Sequence, residues 1–233
     1  MIDIADNLAR VRETIDVATV KAGRALREVR LVAVSKNHSI RAIAAAVAAG
    51  QHLFGENTTQ EALPKIAALA NREIEWHFIG HLQSNKAKLV PGQFRCLHSL
   101  DSLRLAQRLA RFAAEREATL DVLIEVNVTR DPAKHGVAPE AVAPLLESLL
   151  RESLPALRLR GLMTIGPYPA DELTLRKSFA VVRRLREDCA ARLALVNFNE
   201  LSMGMSSDYA EAIAEGSTLL RIGTAIFGER YYP

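Results

Sequence analysis

The sequence has few cysteines and no segment that would direct it out of the cytoplasm. Cys96 and Cys189 are isolated thiols without CxxC spacing, which excludes a disulfide framework and favours a reducing compartment. The first residues are acidic and lack the charged-then-apolar pattern of a secretion signal. No apolar run reaches the roughly 18 residues that a membrane helix needs. We therefore expect a cytoplasmic protein without a membrane anchor.

A large excess of charge of either sign is also missing. The 30 Lys and Arg residues against 27 Asp and Glu residues leave a net charge of +3 without a dense basic tract, so we expect no nucleic-acid partner. We predict no metal site. No linker rich in Pro, Gly and Ser divides the 233 residues, so we expect one domain over residues 1–233.

Strand-like and helix-like segments alternate along the chain after a first amphipathic helix within residues 1–24. Eight such alternations predict an α/β fold, a single (β/α)8 barrel of the TIM type, with a doubly wound open sheet as the main rival. The predicted strands are 31–35, 52–54, 75–79, 94–98, 121–127, 157–163, 198–201 and 218–222. The predicted helices after the first are 39–49, 58–70, 84–89, 101–117, 139–150, 172–193 and 207–215.

The most informative position is Lys36, directly after the apolar run 31–35. Side chains alternate along a strand, so Lys36 shares a face with Val32 and Val34. An amine in apolar surroundings loses its proton more easily, and a neutral amine can form a Schiff base with an aldehyde. Taken alone, the segment favours a solvated lysine just past a strand, and the rest of the chain reverses that preference.

Polar residues collect after seven of the eight predicted strands, at the end where (β/α)8 barrels carry their sites. The stretch 202–208 precedes a helix, and free N–H groups at the start of a helix favour an anion. Ser206, Ser207 or Asp208 would lie near the N-cap of that helix, and either serine would equally well only cap it, because capping and anion binding use the same chemistry. Gly223 and Thr224 follow the eighth strand, and the loops after strands seven and eight are the usual phosphate site of such barrels.

Arg221 shares a strand face with Leu219, so its guanidinium lies in the site if that face points into the barrel. The alternative is a structural ion pair, for which Glu125 on the fifth strand is the candidate. A Schiff-base lysine, phosphate-binding loops and an inward arginine together indicate a phosphorylated aldehyde. Pyridoxal phosphate (PLP) fits this description, and so does the sugar-phosphate substrate of a lysine-dependent aldolase.

Long motifs in a fixed order make the chain resemble the family of pyridoxal phosphate homeostasis proteins from about residue 31 to residue 228. The departures, at 37–39 and at Thr58 and Thr59, do not touch the residues that matter for the site. The matching motifs are VAVSK (32–36), FGEN (54–57) with Gln60 and Glu61, WHFIGHLQSNK (76–86), VN (126–127), KHG (134–136), GLM (161–163), LSMGMSSD (201–208) and GSTLLRIGT (216–224).

The resemblance implies a barrel like the N-terminal domain of alanine racemase, the type III fold of PLP-binding proteins. Lys36 would carry PLP covalently as an aldimine, and His81 would either line the mouth of the site or be an ordinary loop residue. The other implied cofactor-binding residues are Asn57 and Met163 beside the ring, Arg221 at the pyridine nitrogen, and Ser206, Ser207, Gly223 and Thr224 at the phosphate.

The same resemblance favours a carrier over an enzyme. A guanidinium beside the ring nitrogen disfavours the pyridinium form and so weakens PLP as an electron sink. The chain reaches Tyr231–Pro233 soon after the eighth strand, without the second domain that gives racemases another acid/base tyrosine. We expect a monomer with no catalytic residues, which holds PLP and supplies it to PLP-dependent apo-enzymes. A PLP-dependent racemase or lyase is the first alternative, and a cofactor-free aldolase is the second.

Overall fold

Eight parallel strands close into a barrel in the computed structural model, which describes residues 3–228. Each strand pairs with the next along the chain, and the last pairs with the first. This confirms the predicted (β/α)8 barrel and excludes the open sheet. The strands are Arg30–Val34 (β1), Leu53–Glu56 (β2), Glu75–Phe78 (β3), Cys96–Leu100 (β4), Leu120–Val126 (β5), Leu157–Thr164 (β6), Glu200–Ser202 (β7) and Leu219–Ile222 (β8).

Helices connect the strands, and the predicted first helix precedes β1. A 3-10 helix, Ser84–Leu89, stands between β3 and β4, and a shorter one, Leu26–Glu28, precedes β1. Short polar residues fix several helix starts, since each accepts a hydrogen bond from the N–H three residues further on: Asp3, Ser39, Thr58, Ser102 and Asp171. The α-helices are Ile4–Lys21 (α1), Ile40–Ala48 (α2), Thr59–Ala68 (α3), Leu103–Ala114 (α4), Pro139–Glu152 (α5), Glu172–Arg192 (α6), Tyr209–Ala214 (α7) and Thr224–Phe227 (α8).

Two strands begin later than the apolar pattern predicts. Phe94 and Phe198 are buried, but the N–H of Phe94 donates to Val90 and that of Phe198 donates to Leu195, both within local turns. Burial alone therefore does not mark where strand pairing begins. The C-terminal stretch Tyr231–Pro233 lies outside the described residues.

Strand side chains divide between the barrel interior and the layer under the helices. The interior holds a small apolar cluster of Val32, Cys96, Leu123, Met163 and Leu219. Strand residues of the other parity pack with the helices in one large core. The same alternation turns several polar residues inward, and these build the middle of the barrel: His77, His98, Ser202 and Arg221.

Candidate functional site

The carboxyl end of the barrel brings the predicted lysine to the mouth. Lys36 lies two residues beyond β1 with a partly buried side chain, and its position continues the inward alternation of Val32 and Val34. Asn57 directly follows β2 and is also partly buried, while Met163 is buried near the end of β6. These residues therefore lie at one end of the barrel, as expected from their places in the sequence.

The backbone on both sides of Lys36 is tied to α3. The ammonium of Lys65 donates to the carbonyl of Ser35 over 2.8 Å, and the N–H of Asn37 donates to the carboxylate of Glu61. Asn37 has a φ of 61°, a left-handed conformation that an asparagine tolerates better than most residues. The backbone is thus held directly before and after Lys36, and we call these two contacts the clamp.

Beneath this clamp, on the outer side of the barrel wall, lies a fully buried carboxylate. Glu56 accepts a hydrogen bond from Ser35 Oγ over 2.6 Å and from Lys65 Nζ over 2.8 Å. Burial raises the pKa of Glu56, while the bonds from Lys65 and Ser35 oppose that rise. The sequence analysis missed Lys65, although its four-residue spacing from Glu61 on a predicted helix is a usable signal.

The residues predicted to bind phosphate surround the ends of β7 and β8. Neither Ser206 nor Ser207 caps α7, because the residue at its N-cap is Asp208, and both serine hydroxyls are exposed. Thr224 is the first residue of α8 and is exposed. Gly223 precedes it, and a Cβ there would lie 3.1 Å from the carbonyl oxygen of Val34, so the end of β8 packs closely on the end of β1.

Arg221 is buried inside the barrel and does not form the alternative ion pair with Glu125. Its Nη1 donates to the carbonyl and the hydroxyl of Ser202 over 2.7 and 2.6 Å, and its Nη2 donates to the carbonyl of Thr164 over 2.8 Å. Burial lowers the pKa of Arg221 to about 10, so the guanidinium stays charged at neutral pH. Asp208 and Glu125 favour that charge only from a distance.

Two histidines that the sequence analysis missed continue from Ser202 through the barrel. The Oγ of Ser202 lies 2.8 Å from His98 Nδ1, and His98 Nε2 lies 2.8 Å from His77 Nδ1. His77 Nε2 in turn lies 2.8 Å from a carboxylate oxygen of Glu75. We call this series of hydrogen-bonded side chains, Arg221–Ser202–His98–His77–Glu75, the axial chain. The sequence contains a signal for His77, because it lies between Trp76 and Phe78 on a predicted strand and the alternation of side chains places it inward.

Three side chains in and beside the axial chain lie close enough together to be considered as metal ligands. Donor atoms of His77, Cys96 and His98 lie within 4.8 Å of one another and are buried. Burial raises the pKa of the Cys96 thiol well above its ordinary value in the metal-free protein. Both ring nitrogens of each histidine already have hydrogen-bond partners. The predicted absence of a metal stays a prediction.

At the mouth, His81 stacks on His135 with ring centroids 3.7 Å apart. Its Nδ1 lies 3.8 Å from Asp101 Oδ2. Burial, followed by the neighbouring His135, lowers the pKa of His81, and Asp101 opposes this. A cavity of about 260 Å³ lies beside His81 and Asn57. His81 therefore lies three residues beyond the end of β3, beside this cavity.

One carboxylate facing this end has an oxygen without a partner. Glu125, on β5 and paired in register with Met163, is 7% exposed, and its Oε2 has no hydrogen bond within the described part of the chain. Burial and the nearby Asp101 raise the pKa of Glu125 to about 7, while Arg221 opposes them.

Comparison with known proteins decides the family. The family model for the alanine racemase N-terminal domain matches residues 5–231. The chain is 44% identical over 236 residues to the pyridoxal phosphate homeostasis protein of Escherichia coli K12, covering 100% of this chain and 99% of that protein. It is 44% identical over 232 residues to the Pseudomonas aeruginosa protein of the same name, covering 100% and 98%. The chain belongs to the pyridoxal phosphate homeostasis protein family.

Solved structures agree with this membership. The structure of PipY from Synechococcus elongatus with PLP bound is 37% identical, with a TM-score of 0.85, and the match covers 97% of this chain and 100% of that one. Alanine racemase from Corynebacterium glutamicum, 19% identical with a TM-score of 0.70 over 99% of this chain and 62% of the enzyme, shares the fold. Within residues 3–228, no helix has the length and apolarity to cross a membrane.

Proposed function

We propose that this protein binds PLP at the carboxyl end of the barrel, with Lys36 holding its aldehyde as a Schiff base, and that it stores the cofactor for delivery to apo-enzymes. The observation that carries the proposal is the clamp on Ser35 and Asn37, which presents one lysine at the mouth of a barrel. The PLP-bound relative PipY supports the same ligand.

The donors at this end match the groups of PLP. An aldehyde requires an amine, which Lys36 supplies. A phosphate requires N–H and hydroxyl donors, and exposed Ser206, Ser207 and Thr224 with the backbone at Gly223 provide them at the ends of β7 and β8. The pyridine nitrogen would face the charged Arg221, with Asn57 and Met163 beside the ring and His81 at the entrance.

Arg221 also supports storage over catalysis. PLP supplies an electron sink for carbanion chemistry when its ring nitrogen is protonated. A guanidinium that is charged at neutral pH disfavours a second positive charge beside it. We infer a carrier without catalytic residues that acts as a monomer in the cytoplasm, with PLP-dependent apo-enzymes as its partners.

Borohydride trapping tests the proposal. The purified protein is incubated with PLP, reduced, digested and mapped by mass spectrometry. The expected adduct is on Lys36, and Lys36→Ala should lose it while retaining the fold and weaker non-covalent binding. Lys86→Ala serves as the matched control, because Lys86 lines the neighbouring cavity with His81. An adduct that maps to Lys86 or Lys134 in the wild type would refute the assignment.

Exchange of the α-hydrogen separates the carrier from the racemase alternative. The PLP-loaded protein is mixed with L-alanine in heavy water at stoichiometric concentration, and deuterium incorporation is followed by NMR. We expect exchange far below enzymatic rates, because the charged guanidinium of Arg221 disfavours a protonated ring nitrogen and so weakens the electron sink. Exchange at many turnovers per second that Lys36→Ala abolishes would make the protein an enzyme.

A further inference from the structure

The axial chain has a single direction, which follows from what each group can donate. The guanidinium of Arg221 has no acceptor atom, so the Ser202 hydroxyl accepts from it at 2.6 Å. The Ser202 hydrogen then goes to His98 Nδ1, which leaves the hydrogen of His98 on Nε2. That hydrogen is donated to His77 Nδ1, and His77 Nε2–H is donated to Glu75. Every donor in this arrangement has an acceptor.

The opposite direction leaves two groups mismatched. A hydrogen on His98 Nδ1 would be donated to Ser202 Oγ, whose own hydrogen would then lose its acceptor. His77 would have to donate from Nδ1, and its bare Nε2 would face the Glu75 carboxylate at 2.8 Å. A carboxyl group with an ordinary pKa of 4.5 and with Arg30 3.8 Å away is ionised at neutral pH even without a hydrogen bond from His77, so it repels a lone pair.

Both histidines are neutral in the favoured direction, as their surroundings require. Burial lowers the pKa of His77, and it lowers that of His98 well below its ordinary value. Glu75 lies at the amino-terminal end of the barrel, where Arg30 is 3.8 Å from it. The axial chain therefore joins a charged group near one end of the barrel to the guanidinium near the other.

We propose that His98 is a positioning residue for the cofactor ring, because through Ser202 it holds the Arg221 guanidinium in one orientation, and that His77 and Glu75 fix the tautomer of His98. This inference rests on the proposed function, in which Arg221 faces the pyridine nitrogen. Without the acceptor at His98, the Ser202 hydrogen would have to find another partner, and the hydroxyl would stop presenting its lone pair to Arg221. The guanidinium would then be held mainly by backbone carbonyls.

Two measurements test the inference, and the first needs no cofactor. Imidazole ¹⁵N NMR of the cofactor-free wild type at pH 7.5 should show His77 and His98 as neutral tautomers with hydrogen on Nε2 and none on Nδ1. The direction of the axial chain is wrong if His98 carries hydrogen on Nδ1 or if His77 is a cation.

The second measurement compares PLP absorption bands and dissociation constants across four variants. His98→Leu and Ser202→Ala should shift the bands and weaken binding about ten-fold, the size expected for losing one buried hydrogen bond. His98→Asn, whose amide oxygen can replace Nδ1 as acceptor, should restore most of both properties. Cys96→Ala is the control, since Cys96 is buried beside the histidines but lies outside the axial chain. Thermal unfolding confirms that each variant is folded.

The outcomes separate this inference from the proposed function. If the wild type shows no PLP at Lys36, the proposed function falls, and the positioning role of His98 falls with it. If the wild type binds PLP at Lys36 but folded His98→Leu and Ser202→Ala keep its bands and affinity, only the positioning role is overturned. Equal changes in Cys96→Ala would also overturn it, since they would show a general response to altered packing.

Discussion

Apart from the ion pairs of Lys65 with Glu56 and Glu61 on the outer wall, the two ends of the barrel use polar residues differently. At the amino-terminal end, the charges are paired across strands. Arg30 lies 3.0 Å from Glu200 and 3.8 Å from Glu75, and Asp121 lies 2.6 Å from Arg158. The first two pairs join β1 to β7 and to β3, and the third joins the neighbouring strands β5 and β6, so these residues help to hold the strands of the barrel together.

At the carboxyl end, the hydroxyls of Ser206 and Thr224 are exposed, and Glu125 keeps an oxygen without a partner in the described part of the chain. The exposed hydroxyls contribute little to folding and are available to a ligand, whereas the buried carboxylate of Glu125 is not used to stabilise the fold. The comparison indicates that the ion pairs that stabilise the barrel and the hydroxyls that are available to bind a ligand lie at opposite ends of its axis. The axial chain connects the two ends. Substitution of an exposed ion pair at the amino-terminal end should therefore leave PLP affinity unchanged, and removal of an exposed hydroxyl at the carboxyl end should leave the unfolding free energy unchanged.

The largest effect on stability should come from Gly161→Ala on β6, on the side of the barrel that carries the ion pairs. Gly161 has a φ of +154°, and a Cβ there would lie 1.9 Å from the carbonyl oxygen of Glu200. We expect a loss of more than about 3 kcal/mol in urea unfolding, because the neighbouring strand must move. Gly92→Ala is the control, with a similar left-handed requirement at φ +79° but its nearest atom 3.7 Å away, and should lose only about 1 kcal/mol. Equal losses in both variants would contradict the steric argument.

Glu125→Gln should stabilise the protein at alkaline pH. The pKa of Glu125 is about 7 in the folded protein against an ordinary 4.5, so the folded state binds the proton more tightly. The wild type should therefore lose stability as the pH rises from about 4.5 to about 7, by up to about 3 kcal/mol. The variant should exceed the wild type by this amount at pH 8 and match it near pH 4.5.

Urea unfolding at several pH values measures this difference, and the exposed Glu73→Gln is the control. A gain that does not depend on pH would rule out titration of Glu125 as its cause. A gain in unfolding free energy that depends on pH would show that Glu125, an acid without a hydrogen-bond partner at the carboxyl end, lowers stability. It would thereby sharpen the comparison between the two ends.

Ser206→Ala should weaken PLP binding about ten-fold or more, since a charge-assisted hydrogen bond contributes about 1.5–3 kcal/mol. Its unfolding free energy should not change, because the hydroxyl is exposed. Fluorescence titration gives the affinity, and Ser178→Ala on the outer surface of α6 is the control. Dephosphorylated pyridoxal should bind much more weakly than PLP; equal affinity for the two would exclude a phosphate site here.

The smallest effect should come from Arg95→Gln at the amino-terminal end. Arg95 is about half exposed and lies 3.5 Å from Asp121, so the pair contributes less than about 1 kcal/mol. The loss should disappear in high salt, and PLP affinity should equal that of the wild type. A change in affinity without a change in stability would break the separation between the two ends.

Much of this arrangement was predictable because it depends on local patterns. Alternation of apolar residues predicted the eight strands, and the position of Lys36 after β1 followed from the same pattern. The place of the candidate site, at the strand ends where polar residues collect, followed from the rule that parallel barrels carry their sites at the carboxyl ends of their strands. The start of α7 was predicted only as one of three residues, and Asp208 is the one found at its N-cap.

The sequence by itself determined the barrel, the family motifs and the side of each strand on which a residue lies, because periods of two and of about 3.6 are properties of neighbouring residues. Only the tertiary structure decided which polar groups are hydrogen-bonded to one another. His98 meets His77 from 21 residues away and Ser202 from 104, and Lys65 reaches the carbonyl of Ser35 from α3. A buried polar group must find a hydrogen-bond partner, but which group is within 3 Å of it is set by how the strands close around the axis.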